Sequence, residues 1–276
     1  MKNKRMMKKI FWFFILGFLG FIFAFPFFWM TSTSLKTYDE IFMFPPPMLP
    51  EQPQWSNYAD LMTELPFLQY TLNTVFVTGF TLLGFLISSP IIAFGFSYFK
   101  FPGKKWLFRL LLVTMMLPPQ VTMIPQFVLF NKLGWVGSFK PLIIPTFFGG
   151  SYVIFLLKQF FDTVPREFSD AAKIDGASSW NIFSKIYLPL SKPAIATSAL
   201  FVFMWTWTDF LNPLIYLTDD RMYTLSIGLQ QLSTSRSTAW PQLMAGSVLM
   251  TLPIIILFFV AQNKFVKGIN IGGVKA

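Results

Sequence analysis

A sequence with no histidine and no cysteine has few ways to do chemistry, and this one of 276 residues has neither. Imidazole bases, thiolate nucleophiles, disulfides and most transition-metal sites are removed together, so no metal and no cofactor is expected. What remains are 12 carboxylates against 22 lysines and arginines. Four carboxylates, Asp162, Glu167, Asp170 and Asp175, lie close together in one polar interval, and Asp209 stands alone inside an apolar stretch. Catalysis by paired carboxylates would need a cluster at one site with a base or nucleophile beside it, and the sequence offers no such set. A phosphate cradle is also missing. The one Gly-Lys pair, Gly103-Lys104, lacks the earlier glycine and the Ser/Thr of G-x-x-x-x-G-K-[ST]. The chain is therefore not expected to be an enzyme.

The elements that would hold these residues are apolar. Hydrophobic residues make up 54% of the sequence, 36 of them phenylalanine, and only 12% are charged, against roughly 25% in a soluble domain. The expectation is an all-α polytopic membrane protein. Segments 10–30, 71–98, 107–129, 141–161, 193–217 and 243–266 are each long enough to cross a hydrocarbon layer of roughly 30 Å. Ser88-Ser89-Pro90 should tilt or kink the second, and Leu117-Pro118-Pro119 with Pro125 should break the third against other helices or a cavity. Gly149-Gly150 in the fourth should allow close helix approach. A break at Asn212-Pro213 is expected in the fifth. Residues 31–68, rich in proline, read as an extended external loop, and 218–242 as a polar external loop.

Six spans place both termini on one side, and the net charge of +10 is distributed accordingly. Seventeen of the 22 basic residues fall on the side of the termini, and only Lys36, Lys132, Lys140, Arg221 and Arg236 on the other. The positive-inside rule puts both ends and the polar interval around 162–192 in the cytoplasm. The positive charge thus marks membrane orientation and not a nucleic-acid partner.

That interval reads as helix, turn, helix. Pro165 suits a first helical turn. Phe168, Ala171, Ala172 and Ile174 fall on one face, with Glu167, Asp170 and Lys173 opposite. Gly176 is placed for the positive φ just past a helix end. Ser178 can cap a second helix, whose stripe of Trp180, Phe183, Ile186 and Tyr187 runs until Pro189 stops it.

Asp170-Ala171-Ala172, three residues, Gly176, nine residues, then Ile186-Tyr187-Leu188-Pro189 resembles the E-A-A-x3-G-x9-I-x-L-P coupling loop of ABC importer permeases, with Asp for Glu at the first position. Asn73, the turn Phe99-Lys100-Phe101-Pro102-Gly103, Leu117-Pro118-Pro119 through Ile124-Pro125, Leu133-Gly134, Trp207-Thr208-Asp209-Phe210 and Tyr223-Thr224-Leu225 resemble the carbohydrate branch of that family, its maltose-system "G" type. The resemblance covers nearly the whole chain.

It implies a type I importer permease core of five helices with one N-terminal helix added. The domains would be 1–68 (cytoplasmic N-terminus, first span, external loop), 69–262 (permease domain with the coupling loop 162–192) and 263–276 (cytoplasmic tail). It implies one permease subunit of an ATP-driven, binding-protein-dependent importer of a sugar or oligosaccharide in the bacterial cell membrane. Its partners would be a second, different permease, two ATPase subunits that bind the ATP, and an external sugar-binding protein or lipoprotein. Glu167, Asp170, Ala171, Ala172, Gly176, Ile186, Leu188 and Pro189 would couple to the ATPase. Tail residues Gly273, Val274 and Lys275 would touch it, and the loop 218–242 would reach toward the binding protein. An importer permease for a non-sugar solute is the alternative, then a secondary carrier, which would normally place more than one ionisable group in its membrane core. Asp209 keeps two readings. Either it lines the substrate path with Trp205 and Trp207, or it satisfies donors freed at the Pro213 break. The second is favoured, because in the maltose type the partner permease carries most sugar contacts.

Overall fold

The computed structural model describes residues 2–234 and 238–269, with side chains over 6–233 and 238–262. Every regular element among them is helical. In chain order the α-helices are α1 (Lys2–Thr33), α2 (Tyr38–Phe42), α3 (Ser56–Glu64), α4 (Phe67–Tyr98), α5 (Lys104–Met116), α6 (Pro119–Lys132), α7 (Lys140–Ile143) and α8 (Ser151–Phe161). They continue with α9 (Arg166–Ile174), α10 (Ser179–Ile182), α11 (Leu188–Leu190), α12 (Lys192–Trp207), α13 (Leu211–Tyr216), α14 (Leu225–Thr234) and α15 (Trp240–Ile269). Four stretches are long and apolar enough to cross a membrane as they stand: 6–33, 67–98, 140–161 and 240–262. Two further apolar pairs are bent, α5 with α6 by 101° and the 179–190 run with α12 by 75°, which makes six if each bent pair counts as one span.

The break between α5 and α6 falls where the sequence places it. Leu117 and Pro118 adopt extended backbone, and Pro119 opens α6, where its missing N–H costs nothing. α4, by contrast, runs unbroken through Pro90. Ser88 Oγ accompanies it by donating to the Gly84 carbonyl at 2.7 Å and to that of Thr146 at 3.1 Å.

The chain divides into two compact units, Met1–Leu68 with Gly228–Pro253, and Gln69–Ile227 with Ile254–Ala276. In the first, the segment after α1 is not the extended loop that its prolines suggest. Lys36 is fully buried, its ammonium donating to the Pro47 carbonyl and lying 4.2 Å from the Trp29 ring centre. Burial depresses its pKa, opposed by the nearby Glu40 carboxylate. Glu40 accepts the Thr37 backbone N–H at 2.7 Å and that of Glu51 at 2.8 Å, and Thr37 caps α2 in return. Asn57 Nδ2 donates to the carbonyls of Ser34 and Lys36. Side chains thus tie the segment together alongside the backbone bond from the Gln54 N–H to the Leu35 carbonyl at 2.8 Å. Residues 218–242 are likewise more than a polar loop. α14 forms within them, and its Leu225, Ile227, Leu229 and Leu232 are buried.

In the second unit, the core gathers Ala93 and Phe94 of α4, Val153, Ile154, Leu157 and Phe161 of α8, Ile182, Phe183 and Tyr187 of the coupling interval, and Ala194 and Val202 of α12. α4 meets the 144–150 region through small residues on one of its faces. A Cβ on Gly84 would overlap Thr146 Oγ1, one on Gly149 would lie 2.8 Å from Ile92 Cδ1, and one on Gly150 2.6 Å from Phe85 Cε1. Ser89 Oγ accepts the Gly150 N–H at 3.3 Å.

Candidate functional site

α9 is short and amphipathic, and a glycine turn ends it. The N–H of Gly176 donates to the Lys173 carbonyl at 3.0 Å, and that of Ala177 to the Ala172 carbonyl at 2.8 Å. With Gly176 at φ +79° this is a Schellman turn, as the sequence anticipates. Ser178 Oγ then accepts the Asn181 N–H at 3.2 Å, capping α10. Pro165 sits at the N-cap of α9 rather than in its first turn.

The faces of α9 are sorted differently from the simple apolar-against-polar reading. Ser169 is buried and Ala172 packs on the core, whereas Phe168, Ala171 and Ile174 face outward with Glu167 and Asp170. Ile174 is 88% exposed and Phe168 54%, so the helix offers large apolar groups to something outside this chain. The Lys173 ammonium folds back, 5.0 Å from the Tyr98 ring centre and 3.3 Å from Asp170 Oδ1. The Tyr98 hydroxyl and then Asp170 hold its pKa above the ordinary lysine value.

Pro189 does not stop the second helix. Residues Phe183–Tyr187 widen into a π turn, closed by the Leu188 N–H on the Phe183 carbonyl, and the chain runs on through α11 before bending at Ser191. A wider turn makes room for a ring that would otherwise meet the carbonyl four residues earlier. The π turn also aims Tyr187 into the core. Its ring meets Phe94 at 5.0 Å and Phe161 at 5.5 Å, both edge-on, and Phe94 meets Phe183 at 5.2 Å. Ile186 and Leu188 are half-buried on the same core, and Pro189 is exposed. Two further ties hold the interval from below. Ser97 Oγ donates to Asp162 Oδ1 at 2.8 Å, and Lys158 pairs with the other oxygen of Asp162. Phe94, Ser97 and Lys158 escape the motif-based reading because they lie far from the motif in sequence. Only the aromatic spacing of Phe183 and Tyr187 hints at their place.

A second feature lies where α12 ends. The break in the fifth span is at Thr208, Asp209 and Phe210, four residues before Pro213, which is accommodated inside α13. Asp209 is therefore in a turn and not in a helix. Its Oδ1 accepts the Asn212 N–H at 3.2 Å, its Oδ2 accepts Asn212 Nδ2 at 2.8 Å, and its carbonyl accepts Ser226 Oγ at 2.6 Å. An aspartate suits this place because its carboxylate can accept one of the free N–H groups that a new helix start exposes, here that of Asn212.

The same residue borders a cavity of about 250 Å³, together with Thr81, Gln126, Thr206, Asn212 and Tyr216. Trp205 and Trp207 do not join it there. Trp207 is buried and stacks on Phe203 at 5.2 Å, and Trp205, half exposed, leans on Tyr152 at 5.1 Å. The trio is thus split, and the cavity's lining mixes hydroxyls and amides with apolar residues such as Val77, Phe85, Phe130 and Leu142. Gly273, Val274 and Lys275 lie outside the described residues. No group of three or more metal-ligating side chains occurs among those described.

Residues 81–271 match the family described as "binding-protein-dependent transport system inner membrane component". The chain belongs to that family. This permease is 33% identical to a probable ABC transporter permease protein of Bacillus subtilis over 91% of its own length and 84% of the relative's. It is 31% identical to the galactooligosaccharides transport system permease protein of the same organism, over 100% of this chain and 98% of the other. Its fold matches a chain of a bacterial ABC transporter involved in import of the acidic polysaccharide alginate, with a TM-score of 0.80 at 23% identity, over 94% of this chain and 96% of that one. The permease is an all-helical, multi-pass membrane component of a transport system, as the coupling motif implies.

Proposed function

We propose that this permease forms half of the path by which an ATP-driven importer carries a sugar or oligosaccharide across the bacterial cell membrane, and that α9 receives the force. The observation that carries this reading is the outward face of α9. Phe168, Ala171 and Ile174, ringed by Glu167 and Asp170, stand on a helix fixed by a Schellman turn and by Ala172 packed on the core. Large apolar groups at a polar membrane end need a protein partner, and a helix anchored on one side transmits displacement rather than absorbing it.

ATP would be bound by two partner subunits, since the chain has no P-loop of its own. A second, different permease would complete the path, and an external sugar-binding protein would deliver the cargo. A carbohydrate cargo is supported by the galactooligosaccharide relative, and the cavity's mixture of hydroxyls and amides with aromatic and aliphatic groups is compatible with a sugar. Both termini and α9 face the cytoplasm on the distribution of basic residues.

The test is reconstitution of the four-part complex with its binding protein in proteoliposomes. Uptake driven by internal ATP should occur for one or more members of an oligosaccharide panel. Phe168→Ser with Ile174→Ser should release the ATPase subunits on purification while leaving the permease in the membrane. Full ATPase retention in that variant would sink the role given to α9, and uptake confined to non-sugar solutes would sink the cargo.

A further inference from the structure

Beside the coupling interval, the turn between α4 and α5 and the start of α9 enclose a polar pocket of about 390 Å³ that the transport reading does not use. Four cations line it, Lys104, Lys158, Arg166 and Lys173, against two carboxylates, Asp162 and Asp170. The carboxylates are already engaged. Asp162 is paired with Lys158 and accepts Ser97 Oγ, and Asp170 is paired with Lys173. Two cations are left over. Lys104 spends two of its protons on the carbonyls of Phe99, at 2.9 Å, and Ser97, at 3.3 Å, and has no carboxylate within ion-pair distance. Arg166 has no side-chain partner among the described residues, so its guanidinium fork is open. Lys158, Arg166 and Lys100 all repel Lys104, and only Asp162 attracts it.

The surroundings place this surplus at the level of lipid headgroups. Directly beyond Lys104, α5 exposes Trp106, Leu107, Leu110 and Val113, and the turn before it exposes Phe99 and Phe101. Aromatic rings at a span end mark the membrane–water boundary, and basic pockets there suit phosphate-bearing headgroups.

We propose that this pocket is a binding site for a phosphate-bearing anion, with the oxygens held by the Lys104 ammonium and the Arg166 guanidinium. A guanidinium takes two phosphate oxygens at once, and the lysine supplies the facing point charge. The exposed aromatic rim favours an anionic phospholipid headgroup over free phosphate as the source. Because Arg166 and Lys173 belong to α9, an occupied pocket ties the start of the coupling helix to the ends of α4 and α5, and lipid composition would then set how firmly that helix is held. The site depends only on these side chains and not on the cargo or on which side of the bilayer they face.

The assembled complex in phosphatidylcholine nanodiscs provides the test. Short-chain phosphatidylglycerol is added in one arm and inorganic phosphate in the other, at matched ionic strength, and hydrogen–deuterium exchange is followed over 166–174. Saturable protection by phosphatidylglycerol, weakened about thirty-fold in Lys104→Gln with Arg166→Gln, is expected, at about fivefold for each single change. Lys104→Arg with Arg166→Lys should restore it. Protection by inorganic phosphate without the lipid keeps the site and makes its source free anion. Protection by neither, or equal protection in the neutralised variants, single or double, overturns the proposal.

Discussion

Replacing Gly176 separates backbone geometry from side-chain contact. Its φ of +79° is one that residues with a Cβ reach only at a cost, yet a Cβ built there meets nothing within 4 Å. Any penalty therefore comes from the backbone alone. For an ordinary residue it is about 1–2 kcal/mol, and a β-branched one lies at the upper end. The chain can relieve this by giving up the two closing bonds, Gly176 to Lys173 and Ala177 to Ala172, at about 1 kcal/mol each, so fraying offers no cheaper escape. A population factor of roughly five to thirty against the intact turn follows.

Gly176→Val should accordingly lower uptake by up to that factor in proteoliposomes, with membrane insertion and the amount of permease unchanged. Gly176→Asn, which tolerates the left-handed region, should fall far less, with Gly176→Ala between them. Wild-type uptake in Gly176→Val would refute the reasoning. Equal loss in the Asn and Val variants would also refute it, because side-chain intrusion and not φ would then be responsible.

At Asp209, both carboxylate oxygens are occupied by Asn212, so Asp209→Asn should assemble and transport nearly normally. Asp209→Leu, which uncaps α13, should lose about 1 kcal/mol or more and show up as reduced yield of assembled complex. Uptake abolished in Asp209→Asn with an intact, ATP-hydrolysing complex would place the charge on the substrate route. Glu40 carries a pH dependence. The Thr37 and Glu51 N–H groups hold its pKa below the ordinary 4.5, so its contribution is complete above that value and fades as pH falls through the lower, folded-state value. Exchange of the Thr37 and Glu51 amides, corrected for intrinsic rate, should rise in that acid range and become independent of pH in Glu40→Gln. An unchanged profile in the glutamine variant would contradict the assignment.

Local rules carried the reading furthest where one residue type permits one geometry. The turn at Gly176, the cap at Ser178 and the break before Pro119 are of that kind, and the long apolar runs needed only their length. Failures came where a residue had two solutions. Pro189 reads as a stop and Pro213 as a break, but a π turn absorbs the first, and the second falls inside α13, in the opening turn that follows Asp209. The prolines of 31–68 were read as extension, because Lys36, Glu40 and Asn57 look like solvent-facing residues until their partners are known. Ala171 and Ala172 are neighbours in sequence that part to opposite faces, which only the core behind them decides.

The seam between α4 and residues 144–150 bears on how such a permease can move. Gly84, Phe85, Ser88, Ser89 and Ile92 lie along one face of α4 and touch the opposing segment through methyl-sized gaps or hydroxyl bonds, and Thr81, one turn earlier, donates to the Leu142 carbonyl just before it. A joint this close cannot slide by a fraction of a residue without collision, so α4 and the fourth span behave as one lever. Rotation is easiest where no helical ladder has to be opened first, and Leu117-Pro118 and Thr208 to Phe210 are two such places. The cavity lies between the lever and segments that follow these two joints. Turning at either would change its width while leaving its hydroxyl lining on the lever intact.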